Sequence, residues 1–158
     1  MRDRRWQIVG CEPCHLRQLA RTLRADDAEE VRALGQPSPM RMMYRTWRAS
    51  VVRRTAFVDG EIAAAWGLIG GGSLMAATGV PWLLTAPAIE RVPLDFAREA
   101  RREVREMLDI YPLLENWVHA PYRRAVGFLK IVGFTIDEAQ PILPTGEYFH
   151  RFWMSRSS

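Results

Sequence analysis

Thr55-Ala56-Phe57-Val58-Asp59-Gly60-Glu61-Ile62-Ala63-Ala64-Ala65-Trp66-Gly67-Leu68-Ile69 is the stretch that decides the fold. Two apolar runs flank Asp-Gly, a dipeptide that tolerates the positive φ values of a tight hairpin turn. The pattern predicts antiparallel strands over Thr55–Val58 and Glu61–Ile69. Gly70-Gly71-Gly72 ends the second strand, as a mobile flap or as a simple turn. Val80-Pro81-Trp82-Leu83-Leu84-Thr85 then reads as the next, central strand.

Working outward, Trp6–Val9 predicts a short strand and Cys14–Leu23 a helix, with Leu16, Leu19, Ala20 and Leu23 at helical spacing. Asp26–Gly35 carries acids in its first turn and a closing glycine, the marks of a second helix. Gln36-Pro37-Ser38-Pro39 is a break. Met40–Arg53 predicts a third helix with Met43, Tyr44, Trp47 and Val51 on one side. Downstream, Pro93–Leu108 is a long amphipathic helix and Asn116–Ala120 a strand. Tyr122–Ile131 is a helix, Val132–Ile136 leads into a strand, Pro141–Glu147 is a loop and Tyr148–Met154 a final strand. This order suits one domain over residues 1–158 with an α+β, α/β-sandwich architecture. Its sheet is mixed and mostly antiparallel, with helices on both faces.

Composition narrows the class. The 158 residues are 48% hydrophobic and 25% charged, ordinary for a globular domain, which excludes disordered, collagen-like and coiled-coil chains. The longest apolar region, Ile62–Leu84, is interrupted by glycines and Pro81, so no membrane span is expected. No apolar run follows the basic first residues, so no secretion signal is expected and synthesis in the cytoplasm is the default. Net charge is +4, and Lys130 is the single lysine. Arginines alternate with acids in Arg98-Glu99-Ala100-Arg101-Arg102-Glu103, which reads as an ion-paired helix face. No concentrated basic patch, and hence no specific nucleic-acid partner, is expected.

Cys11-Glu12-Pro13-Cys14-His15 matches the haem c attachment pattern. Haem also needs export and usually a second axial ligand, and zinc needs about four ligands. The motif falls on a strand-to-helix turn with Pro13 in the first helical turn, where proline is tolerated. No haem and no metal are expected; a redox pair stays open.

The element order resembles the GNAT superfamily, the Gcn5-related N-acetyltransferases. Within Tyr122–Phe134, Ala125, Phe128, Gly133 and Phe134 match the pattern N-x-x-A-x-x-F-Y-x-K-x-G-F. The resemblance implies acetyl-CoA bound between two splayed central strands. It assigns the pantetheine arm to the Leu83, Leu84 and Thr85 backbone and a phosphate to Arg91. The departures are equally specific. The loop Ala86–Pro93 lacks glycine, contains two prolines and carries Glu90; the usual tyrosine acid is replaced by Leu129. His119 and Tyr122 are the candidate acid–base groups, with Glu30 or Glu29 as the base. The competing roles are backbone hydrogen bonding for His119, packing for Tyr122 and helix-dipole complementation for the glutamates. His150 reads as structural or as part of an interface.

Three further segments are similar to small GNAT-like proteins of tailed phages: Leu23–Glu30, Pro81-Trp82-Leu83-Leu84 and Phe149-His150-Arg151-Phe152-Trp153-Met154. That group is similar to an internal virion protein of short-tailed podophages. The resemblance implies one of two roles. The first is a divergent acyl-CoA N-acyltransferase moving an acetyl group to an amine. The second is an inactive GNAT-fold virion or assembly protein acting through protein contacts. It also implies phage virion or assembly proteins as partners, a homo-oligomer among the options, and a location in host cytoplasm or virion.

Overall fold

The computed structural model describes residues 5–71 and 77–157, so Gly72 of the triple glycine lies outside the described residues. The chain order is β1 (Trp6–Gly10), α1 (Pro13–Thr22), α2 (Ala25–Ala33), α3 (Pro39–Ala49), β2 (Ser50–Val58), β3 (Glu61–Gly70) and β4 (Thr78–Thr85). A 3-10 turn over Pro87–Arg91 leads into α4 (Pro93–Ile110). β5 (Leu113–His119), α5 (Arg123–Val132), β6 (Thr135–Ile142) and β7 (Glu147–Ser155) close the chain. The strands form one sheet in the order β1-β2-β3-β4-β5-β7-β6, antiparallel throughout except where β4 meets β5. The α+β expectation therefore holds.

The hairpin forms as the Asp-Gly pair dictates: Asp59 and Gly60 sit at φ 51° and 81°. β3 is buried along nearly its whole length because helices cover both sheet faces. On one face Trp66, Leu68, Leu114 and Phe152 pack with Val104, Met107 and Leu108 of α4 and with the α5 end. On the other, Ile62, Ala65 and Leu84 meet Leu16 and Leu19 of α1 and Met43 of α3. Small Ala63, Ala64 and Ala65 let both layers approach the central strand.

Several boundaries differ from the sequence reading, among them β5, which starts at Leu113 rather than Asn116, and two carry a physical lesson. The third helix stops at Ala49, and Ser50–Arg53, expected as helix, belong to β2. Ser50 caps the helix and already pairs with Ile69. Val51 is consequently 60% exposed on the strand rather than on a buried helix side. Pairing with β3 overrides the weak helical spacing of this β-branched segment. Pro141 and Ile142, expected in a loop, end β6; as an edge strand it tolerates a residue without an N–H donor.

Candidate functional site

β4 and β5 pair only at Thr78↔Leu113 and Gly79↔Leu114, then part towards their carboxyl ends. Just past the split, Asn116 Nδ2 donates to the Pro81 carbonyl at 2.8 Å. The far end of the gap lies between Thr85 and His119, and α2 fills it. The Arg24 N–H donates to the Thr85 carbonyl at 3.1 Å. Thr85 Oγ1 and Tyr122 OH both donate to Asp27 Oδ2, at 2.6 and 3.2 Å. The His119 backbone N–H donates to Glu30 Oε1 at 2.8 Å. Asp27 and Glu30 are three residues apart, so one helix face delivers both carboxyls to the gap.

Burial sets the charge state. It pushes the Asp27 carboxyl above its ordinary range, against hydrogen bonds from Thr85 and Tyr122 that favour the anion. Glu30 is pushed up to about 7, by burial first and with the Asp27 charge reinforcing it, against the His119 N–H. Burial and the neighbouring Asp27 charge raise the Tyr122 phenol as well, so it keeps its proton. The His119 ring lies tilted on Phe149 at 5.0 Å, with Nε2 3.5 Å from Glu147 Oε1. Glu147 in turn meets Arg32, which also pairs with Glu29.

The structure thus brings Glu30, His119, Tyr122 and Thr85 together. Leu84 is buried in the α1/α3-side core, whereas Leu83 lines a cleft on the opposite face. Arg91 stands apart: its guanidinium pairs with Asp59 at 3.1 Å and Glu61 at 2.7 Å on the β2–β3 hairpin. Glu29 is exposed on α2, and His150 Nδ1 bonds the Asp137 carbonyl at 2.8 Å. Sequence reasoning missed Asp27 as a gap residue because acids in a first helical turn read as dipole complements. The three-residue spacing to Glu30 was the available signal.

Cys11-Glu12-Pro13-Cys14-His15 builds a helix start. Glu12 and His15 form a reciprocal capping box, with the Glu12 N–H donating to His15 Nδ1 at 3.1 Å. Cys11 is buried and Cys14 half-buried, both free thiols. Ligand atoms of Glu12, Cys14 and His15 lie within 4.8 Å of one another, one short of a closed tetrahedral zinc set.

The cleft beside Leu83 is lined by Trp66, Phe96, Met107, Phe128 and Leu129 and has a volume of about 90 Å³. Phe96 and Phe128 stack at 4.7 Å across it. Ligand pockets usually reach about 300 Å³ or more. A pyrophosphate at the β4–α4 loop would need free N–H donors and positive charge. The Ala86, Ile89 and Val92 amides are spent on Ala63, Ala86 and Ile89 carbonyls. Pro87 and Pro93 have no N–H. Asp95 in the first turn of α4 adds the wrong charge, and Glu90 occupies the guanidinium groups of Arg24 at 3.1 Å and Arg124 at 2.9 Å. The loop does not fit the phosphates of acetyl-CoA.

The split sheet and flanking helices are those of the GNAT fold. The acetyltransferase of GNAT family from Streptococcus pneumoniae superposes with a TM-score of 0.59 at 15% identity, covering 95% of this chain and 98% of that one. A variant of the spermidine N-acetyltransferase SpeG from Vibrio cholerae gives 0.68 at 12% identity, covering 98% and 96%. The yncA protein of Salmonella typhimurium, solved with its cofactor acetyl-CoA, gives 0.61 at 8% identity, covering 95% and 93%. No protein-family model matches the sequence, and no curated protein is significantly similar to it.

Proposed function

We propose that this chain is a GNAT-fold protein that does not transfer acetyl groups and works through protein contacts, in the assembly or interior of a phage virion. The observation that carries the first part is the closed gap: Arg24, Asp27 and Glu30 take the strand-end groups of Thr85 and His119. The loop, with its two prolines, its acidic Asp95 neighbour and the nearby Arg24 and Arg124 taken up by Glu90, supports the same reading. The phage setting rests on the resemblance of Leu23–Glu30, Pro81–Leu84 and Phe149–Met154 to small phage proteins. Fold and site separate readily, because the core does not need the catalytic groups.

The test is a melting curve with acetyl-CoA. A ligand at 100 times its Kd stabilises a fold by about 2.7 kcal/mol. The expected result is no shift at millimolar acetyl-CoA, with the chain found by mass spectrometry in purified particles of the phage that encodes it. A saturable shift with acetyl transfer to an amine overturns the reading.

One observation favours the second reading, acyl transfer to an amine. A carboxyl with a pKa of about 7, as Glu30 has, is suited to accept an amine proton near neutral pH. In that reading Glu30 is the base and Tyr122 a proton donor, and Glu30→Gln abolishes turnover while leaving the fold intact.

A further inference from the structure

Between Val31 and Val58 the chain contains Arg32, Arg41, Arg45, Arg48, Arg53 and Arg54 and no acidic residue. The whole chain carries only +4, so the rest of the protein is net negative and the charge is concentrated here. Arg32 pairs with Glu29 and Glu147, and Arg54 with Glu103. Arg41, Arg45, Arg48 and Arg53 have no carboxylate partner among the described residues. The chain-wide mixture of signs concealed this segment: α4 interleaves its arginines with acids, and α3 has none.

Arg41, Tyr44, Arg45 and Arg48 recur at three- and four-residue spacing and are exposed, so they form one stripe along α3. The stripe is built on a rigid aromatic base. Trp47 is anchored by its indole N–H to the Cys11 carbonyl at 2.7 Å and stacks on Tyr44 at 5.7 Å. The Arg53 guanidinium lies 4.3 Å over the Trp47 ring, and its Nη2 donates to the Arg48 carbonyl at 3.2 Å. Arg53 is therefore held beside Arg48.

We propose that this face binds the phosphate backbone of nucleic acid without sequence preference. The planar guanidinium groups of Arg41, Arg45 and Arg48 match phosphate oxygens bidentately; Arg53, whose Nε and Nη2 donate to the Ser50 and Arg48 carbonyls, adds a fourth positive charge, and the exposed Tyr44 offers a base-stacking surface. The outer stripe lacks the large aliphatic residues by which helices lie in a membrane surface. The site lies on the α1/α3 face of the sheet and does not depend on the state of the gap.

The experiment is fluorescence anisotropy of the full chain with a labelled mixed-sequence DNA duplex and with its single strand, over a salt series. Four phosphate contacts on a duplex give a log–log salt slope of about −3.6, so doubling the salt weakens binding about 12-fold. The Arg45→Gln, Arg48→Gln double variant lowers that slope by about 1.8 and weakens binding at least tenfold. Arg98→Gln on α4 leaves both unchanged, and melting curves show that every variant folds. Tyr44→Ala weakens single-strand binding more than duplex binding. Absence of binding at low salt overturns the proposal. So does binding untouched by the double variant, or tighter binding to anionic lipid vesicles than to either DNA.

Discussion

Glu30→Gln separates a destabilising buried carboxyl from a merely structural one. In the folded chain Glu30 is held at about 7 instead of its ordinary 4.5. A displacement of that size corresponds to about 3 kcal/mol between the two protonation states. The folded protein binds more protons than the unfolded chain between those pH values, so stability falls as pH rises through that window. At pH 4.5 the folded carboxyl holds its proton and the unfolded one is half ionised, so the penalty is only about 0.4 kcal/mol; by pH 8 it is almost fully present. Glutamine keeps a carbonyl to accept the His119 N–H but carries no charge. The variant should come within about 0.5 kcal/mol of the parent at pH 4.5 and exceed it by about 3 kcal/mol at pH 8, a rise in Tm of roughly 6–12 °C for a chain this size. Asp27 and Glu103 are raised by burial too and both proteins share them, so the difference curve reports Glu30 together with its coupling to Asp27. Urea unfolding of both proteins at half-unit pH steps gives that curve. A difference that is flat between pH 4.5 and 8, or in which the variant is the less stable at pH 8, refutes the reasoning.

Tyr122→Phe removes one of the two hydroxyl donors on Asp27. It should lower stability by about 1–2 kcal/mol, with the loss shrinking as acid protonates Asp27, because the lost bond favours the charged carboxylate; urea unfolding over an acid-to-neutral pH series checks this. Gly67→Ala would drive a Cβ into the Val52 carbonyl oxygen and to 2.8 Å from Trp82 Nε1. A loss of about 1–3 kcal/mol is expected from overpacking, with near-UV circular dichroism reporting the Trp82 disturbance. Phe149→Ala empties a fully buried site under the His119 ring. It should cost about 3–5 kcal/mol in denaturant unfolding, and Phe149→Leu much less.

The hairpin was legible because Asp59-Gly60 is a local signal and both strands are locally apolar. The covered sheet was legible from periodicity in α1 and α4. The boundary at Ala49 was not, because nothing in Ser50–Arg53 distinguishes a helix end from a strand start until β3 lies beside it. The loop's misfit was legible residue by residue, in its missing glycines and in Pro87, Glu90 and Pro93. The plug in the gap was not: three contacts join residues 58 to 95 positions apart, and each partner has a reasonable local role of its own. Arg91 fails the same way in reverse, as a free-looking loop arginine whose partners Asp59 and Glu61 lie on a distant hairpin.

A sheet that splits must satisfy the strand groups it exposes. In this chain the Arg24 amide and the Asp27 and Glu30 carboxyls serve the split, with Asn116 bridging it near its start. A thioester arm entering the gap would have to break those four bonds. At about 0.5–1.5 kcal/mol each, that lowers its affinity by a factor between about 30 and more than 10⁴. The carboxyls it displaced would remain beside a loop whose Asp95 opposes phosphate and whose Glu90 already occupies Arg24 and Arg124. The two obstacles act on different parts of the ligand, so relieving either leaves the other in force. A glycine substituted for Pro93 restores at most one donor and does nothing to the plug. On the proposed reading the fold's binding mode is lost twice over, while the apolar core on both sheet faces, which defines the fold, involves neither the plug nor the loop acids.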